Sequence, residues 1–264
     1  MTETAERSYE AAPPEPIEPS YFPITRTATY GFLSAIPLVL LYEFLIITAN
    51  EGRVGQVRVS SEIWLKKWFQ FIDGPASLIL GGVLLLVGFA IMMYERKKQI
   101  PIKAGYFMGI VVESGFYAII VALLVSQLVW SLFAAAPTLL PAIAGAGFQL
   151  EQESIWMQIA LSIGAGIYEE LLFRVILVGG LYWLLKAVLG FKTAAYILAA
   201  VAGALLFSAI HYVGPLGDDY TNQSFLFRFF FGLALNVIYL VRGFGVAAWT
   251  HALYDIMIVT KMLG

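Results

Sequence analysis

Two adjacent glutamates and an arginine stand in the middle of an apolar stretch, in the run Gly166-Ile167-Tyr168-Glu169-Glu170-Leu171-Leu172-Phe173-Arg174. An ionised group at the centre of a bilayer-spanning helix costs about 3 kcal/mol on insertion scales, so such groups mark function more often than fold. On a helix, residues four apart share a face while neighbours diverge by about 100°. Glu170 and Arg174 therefore form a natural ion pair, which offsets part of the cost of burying both. Glu169 points elsewhere, has no claim on that arginine, and is free to face a cavity. A carboxylate so placed is a candidate general base.

Only two histidines occur, His211 and His251. His211 follows Phe207-Ser208-Ala209-Ile210 and precedes Val213-Gly214-Pro215, so it stands where glycine and proline end a helix. His251 and Asp255 lie four apart in the last apolar segment, so their side chains meet on one face. A carboxylate beside an imidazole sets its tautomer and orientation. Taken singly, each histidine fits a structural bundle residue equally well. Taken with the glutamates, they fit a site, because polar groups inside a membrane bundle face inward and find one another.

The elements that hold these residues are apolar spans. Of 264 residues, 60% are hydrophobic and 13% charged, with mean hydropathy +0.80. Soluble domains carry about 25% charged residues. A ruler of about twenty apolar residues per crossing gives spans near 28–49, 75–94, 105–133, 155–188, 193–212, 225–242 and 244–262. The fold class expected is all-α, a polytopic transmembrane helix bundle with about seven to eight membrane-embedded helices. Residues 1–26 read as a disordered, acidic, proline-rich tail, and 27–264 as a single integral membrane domain. Segment 59–72 is amphipathic and suits either a helix lying in the interface or a loop helix packed on the bundle. Segment 134–154, with Pro137, Pro141, Gly145 and Gly147, reads as a loop outside the membrane.

Net charge of −2 offers no basic surface, so no nucleic acid partner is expected. With no cysteine, disulfides, thiol nucleophiles and cysteine metal sites are excluded. Arg96, Lys97, Lys98 and Lys103 place the loop 95–103 in the cytoplasm by the positive-inside rule, although Arg53, Arg58, Lys66 and Lys67 then lie on the opposite side. Glu43 and Glu113 either line the same cavity or sit near an interface, Arg228 can snorkel, and Asn236 either bridges helices, the preferred reading, or donates into the site.

Glu-Glu-x-x-x-Arg at 169–174, Phe-x-x-x-His at 207–211 and His-x-x-x-Asp at 251–255 follow one another on successive spans. In this the chain resembles the CPBP family of intramembrane glutamic endopeptidases, which includes type II CAAX prenyl endopeptidases and Abi-like bacteriocin-processing or self-immunity proteins. The resemblance covers about residues 155–262, a protease-like core, and extends to the run Ala247-Ala248-Trp249-Thr250-His251-Ala252-Leu253. It implies that Glu169 activates water with help from His211, that Glu170 and Arg174 support the helix, and that His251 and Asp255 bind the oxyanion. Asp255 departs from members with asparagine there. An ionised aspartate cannot donate to an oxyanion and would act by orienting His251.

Peptide hydrolysis needs a deprotonated water, a stabilised oxyanion and a proton for the leaving amine. A glutamate with histidines supplies all three with no cofactor or metal. The expected function is an intramembrane endopeptidase acting on a membrane-associated protein or peptide, lipidated or not, in a bacterial inner (cell) membrane. Two other readings stay open. One glutamate and two histidines can bind zinc, as in a membrane metalloprotease, although His-Glu-x-x-His is missing. A non-enzymatic immunity or transport protein can use the same buried acids, although no duplicated half is visible.

Overall fold

A computed structural model of the protein describes residues 20–50, 57–69, 76–133, 153–213 and 217–262. Its regular elements are helical, with no strand among the described residues. In chain order they are α1 (Tyr21–Thr25), α2 (Ala28–Ala49), α3 (Ser60–Lys67), α4 (Ala76–Glu95) with a 3-10 turn at Arg96–Lys98, and α5 (Ala104–Phe133). There follow α6 (Ile155–Glu169), a π-helical segment (Glu170–Val178), α7 (Gly179–Leu189), α8 (Lys192–Ile210), α9 (Asn222–Arg242) and α10 (Phe244–Val259). Six helices are long and apolar enough to cross a membrane, counting α6, the π segment and α7 as one continuous helix of 35 residues. The protein is thus a polytopic helical membrane protein. Its outer faces carry Leu40, Phe44, Leu86, Phe89, Phe116 and Leu124, all well exposed and suited to lipid tails.

The seventh apolar helix, α10, has 16 residues. At 1.5 Å per residue it is about 24 Å long, shorter than the bilayer core. It is instead the centre of the bundle, packed against α6, α2, α5 and α9. Its first turns, Gly245-Val246-Ala247-Ala248, are buried because small residues let helix backbones approach closely. The turn into it needs Gly243, at φ 85°, where a side chain would also meet the Arg26 carbonyl at 3.0 Å. Gly166 on α6 is equally constrained: a Cβ there would lie 2.6 Å from the Ala248 carbonyl oxygen and 2.7 Å from the Ala252 Cβ. The α6–α10 contact, on which the site depends, exists because this position has no side chain.

Helix starts follow the sequence chemistry. Thr27, Ser154 and Thr221 cap α2, α6 and α9, each accepting a hydrogen bond from a backbone N–H three residues on.

Several expectations change. The tail expected over 1–26 does not hold for its last part, since α1 is packed with Ile24 and Thr25 buried. Arg242 holds it there, donating to the Phe22 carbonyl (2.9 Å) and Thr25 Oγ1 (2.8 Å), while Tyr21 donates to Glu113 (2.8 Å). Residues 1–19 and most of the loop 134–154 lie outside the described residues. Helix α3 packs on the bundle with Ser61, Glu62 and Leu65 inward: Glu62 is bound by Tyr42, Arg58 and Lys66, while Ile63 and Trp68 are exposed. A buried carboxylate draws its cations with it. Arg58 also pairs with Glu43 (3.0 Å), so Glu43 belongs to this network, and Glu113 belongs to the one with Arg242. Both acids are structural. Arg228, expected to snorkel, is buried. Asn236 bridges as expected, donating from α9 to the Ala200 carbonyl on α8 at 3.0 Å.

Candidate active site

Glu169 ends α6 and Glu170 opens the π segment. The N–H of Gly179 reaches back five residues to the Arg174 carbonyl, the wider pairing of a π-helix, a local distortion common at functional sites. The two carboxylates diverge as helix geometry requires, into different surroundings.

Glu170 is fully buried and uses both oxygens. Oε2 lies 3.1 Å from Arg174 Nε, a charge contact within one helix. Oε1 lies 2.7 Å from Nδ1 of His251, across the α6–α10 contact. A carboxylate only accepts, so that nitrogen carries a hydrogen. Arg174, 1% exposed, also donates to the Gly232 carbonyl (3.4 Å) and stacks over the Phe207 ring at 4.5 Å.

His251 is therefore aimed from behind. Its ring sits edge-on to Phe231 and Phe207, with centroids at 5.5 and 6.0 Å. Its other nitrogen, Nε2, points to Asp255 Oδ2 at 3.5 Å. The orienting partner expected from spacing was Asp255; the group that holds His251 at hydrogen-bond distance is Glu170. Nothing in the sequence spacing shows this, because the two are 81 residues apart. The usable hint is chemical: Glu170 has a second oxygen that Arg174 alone does not occupy.

His211 lies just past α8, at its C-cap. Its Nδ1 is 2.7 Å from the Phe207 carbonyl, one turn back. A carbonyl also only accepts, so Nδ1 carries the hydrogen, and in the neutral ring Nε2 is then an acceptor. The Phe-x-x-x-His spacing thus has a mechanical meaning. Nε2 faces Glu169 Oε2 at 3.9 Å, beyond a direct hydrogen bond. Glu169 Oε2 is buried and makes no hydrogen bond among the described residues.

Glu169, His211, His251 and Asp255 are thus brought to one place by α6, α8 and α10. The side chains of Glu169, His211 and Asp255 are 15%, 24% and 28% exposed, against 0% and 1% for Glu170 and Arg174, which separates an accessible front from a buried support. No three His, Asp or Glu side chains among the described residues are grouped to hold a metal ion. Beside the site runs an apolar groove of about 470 Å³, walled by Trp64 of α3 and Trp68 just past its end, by Leu172 and Phe173 of the π segment and by Leu206 and Ile210 of α8. Phe173 joins groove to site, its ring edge-on to Phe207 at 5.2 Å.

Residues 151–257 match the family model described as type II CAAX prenyl endopeptidase Rce1-like. No curated protein and no solved structure matches the chain.

Proposed function

We propose, for a chain whose residues 151–257 match the Rce1-like family of type II CAAX prenyl endopeptidases, a glutamic mechanism of peptide-bond hydrolysis inside the membrane. The observation that carries this reading is the pairing of Glu169 and His211: a buried carboxylate oxygen without a hydrogen bond, 3.9 Å from an imidazole nitrogen whose tautomer leaves it an acceptor. A water lying between them gives one proton to Glu169 and hydrogen-bonds with the other to His211 Nε2. Its oxygen attacks the scissile carbonyl carbon. Negative charge then develops on the carbonyl oxygen, and His251, with a hydrogen on each ring nitrogen, stabilises it through Nε2–H while Glu170 holds Nδ1–H. As the tetrahedral intermediate collapses, the C–N bond breaks and Glu169 returns its proton to the leaving amine. Asp255, 3.5 Å from Nε2, keeps that nitrogen turned toward the reacting centre. Glu170 and Arg174 support the arrangement and touch no reacting atom.

Every proton is accounted for by side chains of this chain, and no metal or cofactor enters. The substrate is a membrane-associated protein or peptide in the cell membrane of a bacterium. The apolar groove beside the site favours one whose cleavage point lies next to a lipid chain or an apolar segment. The described helices, from α1 onward, act as one membrane domain carrying this site. The test uses the purified chain in proteoliposomes with a farnesylated peptide reporter ending in a CAAX-type tetrapeptide, and compares membrane peptides from cells of the wild type and of Glu169→Gln. Peptides that accumulate uncleaved only in Glu169→Gln cells support the reading. Undiminished cleavage by Glu169→Gln refutes the role of that residue.

A further inference from the structure

Arg228 is a second buried arginine near the site, and the mechanism above gives it no part. It lies on α9, 7% exposed, and its contacts come from three positions. Nη2 donates to Asp218 Oδ2 (2.5 Å), and Nη1 donates to the hydroxyls of Tyr212 and Ser224 (2.6 Å each). The guanidinium also stacks over the Tyr212 ring at 5.0 Å. Tyr212 is the residue after His211, and the N–H of Asp218 donates to the His211 carbonyl at 2.8 Å. One cation therefore grips the chain on both sides of the turn that follows His211. Ser208, one turn before, is tied to the same helix through the Phe225 carbonyl (2.7 Å).

The need for such a grip follows from where His211 sits. The last carbonyls of a helix have no partner within it, and last turns fray. His211 is at that end, and its ring orientation depends on the Phe207 carbonyl of the same turn. If the turn opens, Nδ1 loses its acceptor and the ring is free to rotate or change tautomer. A lysine cannot span Asp218 and Tyr212 together, whereas the arginine fork can.

We infer that Arg228, through Asp218 and Tyr212, is a positioning residue that locks the ring of His211 with Nε2 toward Glu169. This rests on the proposed pairing of Glu169 with His211.

The chain has only two histidines, so histidine-selective ¹⁵N labelling of the full chain in nanodiscs reads both rings directly. The His211→Ala spectrum assigns them. In Arg228→Gln the two ring resonances of His211 move toward each other as the tautomers mix, those of His251 stay in place, and kcat for the reporter peptide falls by about tenfold or more with KM within about twofold. If Arg228→Gln does not fold, Asp218→Asn and Tyr212→Phe remove single grips and are expected to act in the same direction more weakly. The inference is overturned if the His211 resonances are unmoved in all variants that fold, or if both histidines shift together, the mark of a general loosening. A moved His211 ring with unchanged cleavage upholds the lock and instead removes His211 from the water-activating pair. A wild-type chain that leaves the reporter uncut challenges the proposed function, while the ring resonances still decide on Arg228.

Discussion

Replacing Glu170 by glutamine leaves the guanidinium of Arg174, 1% exposed, against a neutral amide. Breaking a buried pair from one side costs about 3–5 kcal/mol, because a charge stays behind without its partner. Glutamine keeps one acceptor oxygen, enough for Arg174 or for His251 but not for both, so the loss is expected at the lower end, about 3 kcal/mol. The charge-assisted bond that aims His251 is worth about 1.5–3 kcal/mol. If all of that is expressed in the transition state, cleavage slows about 10- to 150-fold. Glu169→Gln, one residue earlier, perturbs something else. Its Oε2 makes no hydrogen bond among the described residues and lies 3.9 Å from His211 Nε2. Removing that charge takes away the base and little else, so stability should stay within about 0.5 kcal/mol of wild type, while cleavage falls by about 100-fold or more. The assay is thermal unfolding of both variants in one detergent, followed by tryptophan fluorescence, beside cleavage of the same reporter. The reasoning fails if Glu170→Gln unfolds like the wild type, or if Glu169→Gln is destabilised as much as Glu170→Gln.

Gly166→Ala places a Cβ 2.6 Å from the Ala248 carbonyl, so α6 and α10 must separate; overpacking of this kind costs about 1–3 kcal/mol, and both unfolding temperature and cleavage should drop together. Glu62→Gln leaves Lys66 against a neutral amide and Arg58 with Glu43 as its remaining acid, and should destabilise by about 1–3 kcal/mol, seen as a lower unfolding temperature, with the resonances of both histidines unmoved. Asp255→Asn keeps a polar partner near His251 Nε2 and gains an N–H donor for the oxyanion, so cleavage should stay within about tenfold of wild type, whereas Asp255→Ala should lose more. Strong chelators should leave cleavage unchanged, checked by reporter turnover before and after dialysis against one; loss restored by zinc would overturn the metal-free mechanism.

Much of the molecule was legible in advance, for reasons particular to each part. Spans are read from runs of about twenty apolar residues because the bilayer sets that length; α2, α5 and α9 appear close to where the hydropathy places them. Pairs four residues apart are read from helix geometry, as with Glu170 and Arg174 or His251 and Asp255. The position of His211 at a helix end follows from Gly214 and Pro215. The reading of α3 was less sharp. Its amphipathic pattern shows two faces but not which one the bundle takes, and the buried partners of Glu62 come from α2 as well as from its own surroundings. Arg228 is hidden from the sequence for a similar reason: a cation near a helix end has water as its default partner, and only the fold supplies Asp218, Tyr212 and Ser224 instead.

What the chain determines by itself is therefore local: which segments are apolar, where helices start and stop, which polar residues are committed to membrane depth, and which of them share a helical face. What only the tertiary structure decides is who meets whom across helices. Glu170 became the holder of His251 because Gly166, Ala248 and Ala252 let α6 and α10 come close enough for side chains to reach, and Glu169 became the neighbour of His211 because α8 packs on the π segment, with Gly203 against Val178. Helical periodicity repeats every few residues and can be read along a line. Close packing between helices depends on the summed shapes of distant surfaces, and no spacing within one segment encodes it.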